Sequence, residues 1–151
     1  MSKFLGLREE HMDLFGTLSN GTYTSGHTFI SSETGEVAGN VIQKMADQVA
    51  LWKAKVMVVA SAPSGTTFTL KIKGAKDLTA QGALNNPVTL VTIAGLSAVL
   101  TQNGVLANEK IGKMIFDSVI PEGYGYYQVT LTPSQAATGC KVEGWIEPEF
   151  N

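Results

Sequence analysis

The densest group of side chains able to hold a metal or move a proton is Glu9, Glu10, His11 and Asp13, in "EEHMD". A transition-metal site built on one segment uses His-x3-His or paired Cys spacing, which this stretch lacks. It reads as a solvated N-terminal segment. The other histidine, His27, stands beside Gly26 in polar sequence and reads as a loop or rim residue. A hydrolytic unit needs a nucleophile, a base and a group to orient the base, and two histidines in irregular sequence give no such arrangement. The one cysteine, Cys140, excludes an internal disulfide and alternates with Val142, as a buried, inert thiol would. "GYGYY" lacks the third glycine and the following helix of a dinucleotide loop. "PSGTT" lacks the Gly-Lys-Ser/Thr of a phosphate loop. The expectation is a protein that is not an enzyme and needs no cofactor and no metal.

The elements that would have to position any chemistry point the same way. The chain has 151 residues, 11 basic and 13 acidic, net charge -2, with 16% charged residues. That length suits one domain whose core needs no staple. A soluble protein ordinarily carries about 25% charged residues, and a low-charge, β-rich surface suggests cover by a partner. Lys71, Lys73 and Lys76 read as a solvated face, so no nucleic-acid partner is expected. The longest apolar run, "VMVVA", is too short for a bilayer, and the N-terminus lacks the apolar core of a signal peptide. No membrane partner is expected, and synthesis is placed in a cytoplasm.

Residues 1–25 read as an arm or extension, with Phe4, Leu7, Leu14 and Phe15 set among charges, followed by the polar "GTLSNGTYTSG". Residues 26–151 read as one β domain. Residues 49–60 make a strand with Ala50, Trp52, Ala54, Val56 and Val58 on one face and Lys53 and Lys55 on the other. "APSG" reverses the chain as in a hairpin, and residues 66–73 alternate with Phe68, Leu70 and Ile72 inward. The long connections after residues 74 and 94 suggest crossings between sheets. Further strands fall at 87–93, at 110–121 with Gly112 as a bulge, at "YYQVTLT" and at "CKVEGWI". Seven or eight strands with even turn spacing predict an all-β, antiparallel two-sheet jelly-roll-like sandwich with an irregular N-terminal arm. Its core should contain Phe68, Leu70, Ile72, Val129, Leu131 and Val142.

If Val142 and Ile146 face inward, Trp145 faces out beside Lys141, Glu143 and Glu147. Met57 and Val59 share the lysine face of their strand, and Tyr126 opposes Tyr127. Trp and Tyr are enriched at interfaces, so Trp145, Met57, Val59 and Tyr126 are candidate interface residues. Phe4, Leu7 and Phe15 of the arm are candidates for a second patch.

The order of these segments resembles the jelly-roll cement (decoration) proteins on the capsids of tailed bacteriophages. The likeness runs over about residues 48–147: "ALWKAKVMVVA", "TTFTLKIKGA", "PVTLVTI", an Ile120-Pro121-x-Gly123 turn, "YYQVTLT", "SQAATG" and "KVEGWI". The resemblance implies a homotrimer on the outer surface of the virion that clamps neighbouring copies of a major capsid protein. Two other readings stand beside it. One is a β-sandwich module binding carbohydrate or a cell surface through outward aromatics. The other is a cupin-type enzyme, for which the histidines are in the wrong place.

Overall fold

The computed structural model describes residues 13–44, 51–101 and 112–149. Within them the chain is all β, without helix. A short hairpin, β1 (Thr17–Ser19) and β2 (Thr22–Thr24), stands apart from both main sheets. One sheet has the order β3 (His27–Thr28), β11 (Lys141–Glu149), β6 (Leu51–Ala60), β9 (Lys113–Val119). The other has β4 (Val37–Ala38) and β5 (Ile42–Gln43) end to end along one side of β10 (Tyr126–Pro133). Then come β7 (Thr67–Ala75) and β8 (Val88–Ser97). Every pairing is antiparallel. With β4 and β5 counted as one interrupted strand, the eight strands fall into two sheets with the first–eighth–third–sixth and second–seventh–fourth–fifth orders of a jelly roll.

The period-two pattern builds the core. Trp52, Ala54, Val56 and Val58 of β6, with Val142 and Ile146 of β11, face Phe68, Leu70 and Ile72 of β7 and Tyr127, Val129 and Leu131 of β10. All six residues expected in the core are buried. Tyr127 packs against Trp52 and Tyr124 and donates its hydroxyl to the Pro121 carbonyl at 2.8 Å. That bond ties the turn before β10 to the core. Tyr127→Phe is expected to cost about 1–2 kcal/mol, through the orphaned carbonyl, in urea unfolding.

Two connections differ from the sequence reading. "APSG" does not close a hairpin, because β6 and β7 lie in different sheets and the turn is an arch over the sandwich end. The long connection after β7 does not cross between sheets; β7 and β8 pair directly. The loop instead folds on itself, with a Leu78–Leu84 bridge and a Thr79–Ala83 backbone bond. The connection after β8 does join the two sheets. Gly112 lies just before β9; the register break there is opposite Val56 and Met57.

Residues 13–16 form a clasp on the side of the sandwich where β3 and β4 lie. Leu14 donates its N–H to the Gly144 carbonyl of one sheet, and Asn40, between β4 and β5 of the other, donates its N–H to the Leu14 carbonyl. The Asn40 side-chain amide donates to the carbonyls of Asp13 and Gly16 at 3.0 and 2.7 Å. Glycines leave the room this needs. A Cβ at Gly39 would lie 2.3 Å from the Leu14 carbonyl oxygen, and one at Gly144 would lie 3.0 Å from the Phe15 ring. Leu14 and Phe15 are thus core residues. Phe15, expected at a subunit interface, is covered by its own chain because two glycines open a slot for it.

The Asp13 carboxylate accepts the N–H groups of Phe15 and Gly16 at 2.9 and 2.8 Å. Burial raises its pKa, outweighing those two bonds, and Glu143 adds to the rise. A carboxyl raised on folding binds its proton more tightly in the folded chain, so stability falls as pH rises from the unfolded value through the folded one. Asp13→Asn keeps an acceptor oxygen and removes the charge. It should leave stability at pH 7 equal or higher and flatten the part of the melting temperature against pH curve just above the ordinary carboxylate value of about 4.

Candidate interaction surface

The outer face of the β3–β11–β6–β9 sheet carries most of the outward candidates. Cross-strand pairing aligns Trp145, Lys55 and Asp117 in one row and Glu143, Met57 and Met114 in the next. Trp145 is half-buried and donates its indole N–H to Glu147 at 2.8 Å. Lys55 approaches the other oxygen of Glu147 at 3.1 Å, and Lys53 lies 3.4 Å from Asp117. The Trp145 bond and then Lys55 hold the Glu147 carboxyl below the usual range. Exposed ion pairs of this kind contribute at most about 1 kcal/mol each, so their main effect is to neutralise the face and fix the indole.

Two apolar residues on this face were not singled out from the sequence. Met114 and Val119 are each 39% exposed. Met114 shares parity with the inward Phe116, which suggests that both point inward. The register break at Val56 and Met57 instead sets Met114 opposite Met57, while Ile115 and Phe116 both turn to the core. A bulge reverses the alternation, and nothing in "KMIFDSV" announces it.

The candidates do not form one patch. Trp145 and Met57 share the face just described, and Val59 is half-buried near the end of β6. Tyr126 is half-buried in the other sheet, between Gln43 and Ala75. Phe15 is in the core, and Phe4 and Leu7 lie outside the described residues. On the Tyr126 sheet, Glu36 links Lys73 at 2.9 Å and the Thr130 hydroxyl at 3.0 Å, and its pKa is lowered chiefly by the Lys73 bond. One of the three lysines considered as a nucleic-acid face is therefore paired.

Among the described residues, His27, Asp13 and Cys140 have structural roles. His27 Nε2 lies 2.9 Å from Glu33, and its ring meets Phe29 edge-on. Glu33 also accepts the Ile30 N–H. Asp13 serves the clasp, while Glu9, Glu10 and His11 lie outside the described residues. Among the described residues, no three His, Cys, Asp or Glu side chains are grouped to hold a metal. Cys140 is buried, and burial pushes its thiol up to about 11. A thiol reagent at pH 8 should leave native protein unlabelled and modify one sulfur per chain after unfolding in guanidinium.

Fold and surface together define a jelly-roll sandwich whose outward strands combine neutralised ion pairs with exposed apolar side chains. No family model matches the sequence, and no curated protein matches it.

Proposed function

We propose that this protein is a structural cement protein of a virus capsid, binding as a homotrimer to the outside of the shell and bridging neighbouring major capsid proteins. The observation that carries the reading is the distribution of exposed apolar groups. Leu18, Met114, Val119, Val88 and Ile93 lie on strands at several separate places and are each at least 36% exposed. Buried against a neighbour, a large apolar side chain contributes on the order of 1.5–3 kcal/mol, and a protein that joins several subunits needs several such contacts. The jelly roll, the order of segments that resembles phage cement proteins and the low charge support the same reading. The work is burial of surface across subunit boundaries, and no turnover is required.

Trp145 favours a second reading, a carbohydrate- or cell-surface-binding module, because a half-exposed indole beside a carboxylate and an ammonium is also a sugar platform. Incubation with expanded, undecorated phage heads separates the two. Saturable binding at fixed copies per head, with heads more resistant to heat, supports cement. Binding to a glycan array that Trp145→Ala abolishes, without binding to heads, supports the module.

A further inference from the structure

We propose that the β1–β2 hairpin of one copy adds to the free edge of β8 in a second copy, linking the chains head to tail into a ring. The identity of the ring as the cement trimer rests on the function proposed above; the contact itself does not.

The hairpin is well rooted yet buries little of its own. Asn20 and Gly21 take the left-handed backbone of a tight hairpin turn, with φ of 51° and 76°. The clasp holds one end, where the Asn40 amide meets the Gly16 carbonyl. At the other, Gly26 fits against the Val142 carbonyl and Ser25 donates to Glu143 at 3.0 Å. Between these roots only Tyr23 is partly buried, and Leu18 is 67% exposed. A two-stranded hairpin on its own is marginal in water, so this ribbon gains most from a third strand.

β8 offers the matching edge. It is the last strand of its sheet, with Val88 48% and Ile93 36% exposed. Free edges are ordinarily blunted by charge, shortness or bulges. Here β9 carries Lys113 and Asp117. β3, β4 and β5 have two residues each and lie beside the His27–Glu33 pair, Glu36 and Lys44. By contrast, the sequence from Leu78 to Asn108 contains no Asp, Glu, Lys, Arg or His, and neither does that from Leu14 to Gly26. Among the described strands, β8 and the hairpin are the free edges of three or more residues without charge, so pairing them strands no ion.

Bulges select the hairpin over a second β8. Register breaks set off Leu90 on one side and Ala94–Gly95 on the other, leaving Val91, Thr92 and Ile93 as a regular run of three. The hairpin strands are three residues long. Two copies of β8 would meet bulge against bulge. Placement excludes closure within one chain, since the hairpin grows from the β3–β4 side and β8 is the final strand on the opposite side. A contact between two different surfaces of identical chains is heterologous, and it closes into a ring where the rotation permits. The mode is strand addition, with main-chain hydrogen bonds giving most of the affinity.

The test uses the full chain with single cysteines, Ser19→Cys in one preparation and Thr92→Cys in another, treated with a short bismaleimide. Cys140 is buried and does not compete. Cross-linked dimers are expected from the mixture and not from either variant alone. Thr92→Lys should reduce the mass by light scattering to that of one chain, with an unchanged β circular dichroism spectrum. Cross-linking of Thr92→Cys to itself would overturn the proposal in favour of a symmetric β8 contact. A wild-type mass of one chain at the highest soluble concentration would overturn it outright. Single chains that still decorate heads would leave the cement function standing without this contact, and rings that do not bind heads would do the reverse.

Discussion

Removing residues 2–22 should abolish stable folding, whereas removing residues 2–12 should leave a native-like sandwich. The shorter deletion stops before Asp13 and spares the clasp. The longer one takes Leu14 and Phe15 out of the core and leaves the Gly144 carbonyl and the Asn40 N–H without their partners. Deleting a buried Leu side chain to Ala costs about 2–5 kcal/mol and a Phe about 3–5. Domains of this kind hold only about 5–15 kcal/mol in total. Leu14→Ala alone should lower urea stability by about 3 kcal/mol with an unchanged m-value. If the 2–22 deletion melts cooperatively near the wild-type temperature, the clasp contributes little and its burial has been over-weighted. Any assay of the first residues as a binding arm should therefore use the 2–12 deletion, in which loss of binding is not loss of fold.

Gly39→Ala should cost about 3 kcal/mol, at the upper end for overpacking. The new methyl would meet two carbonyl oxygens, those of Leu14 at 2.3 Å and Val129 at 3.0 Å, and backbone yields less readily than a side chain. The cheapest relief is expulsion of the clasp. A double-mutant cycle tests this: in a Leu14→Ala background, where the clasp is already weakened, Gly39→Ala should cost clearly less. Equal cost in both backgrounds would place the strain elsewhere, in the bond from the Gly39 N–H to the Val129 carbonyl.

The long strands were legible because each has one dry face. Phe68, Leu70 and Ile72 alternate with Thr67, Thr69 and Lys71, and no other period fits them. The jelly-roll order was legible only through the sequence of segments, since a turn such as "APSG" reverses the chain whether the next strand joins the same sheet or the opposite one. The exposure of Met114 was not legible because a bulge moves residues to the other face without changing composition. Phe15 was misplaced because its slot is made by glycines 24 and 129 positions away, a relation no local window contains. The β1–β2 hairpin was read as part of an irregular arm although Asn20-Gly21 is a strong turn signal, because the alternation in Thr17–Ser19 and Thr22–Thr24 is only three residues long and buries little. Of the surface, Trp145 and Met57 were each read as outward by parity; that they share one sheet face, and that Tyr126 lies on the other sheet, follows from topology.

The position of β11 has a consequence for how the chain is made. It follows every other described strand in sequence, yet it lies between β3 and β6, and its Gly144 carbonyl receives the Leu14 N–H. Until it leaves the ribosome, one sheet is divided into unpaired pieces and the segment from Asp13 to Gly16 has only half its seat. Contacts between residues so distant in sequence form late, because closing the intervening loop costs entropy before any pairing repays it. The chain therefore emerges with this sheet open, and its apolar strands must stay apart until residues 141–149 have been made. Folding is completed by joining β11 to the segment from Asp13 to Gly16, so a chain broken off before residue 141 is left without a fold of its own rather than with a smaller version of this one.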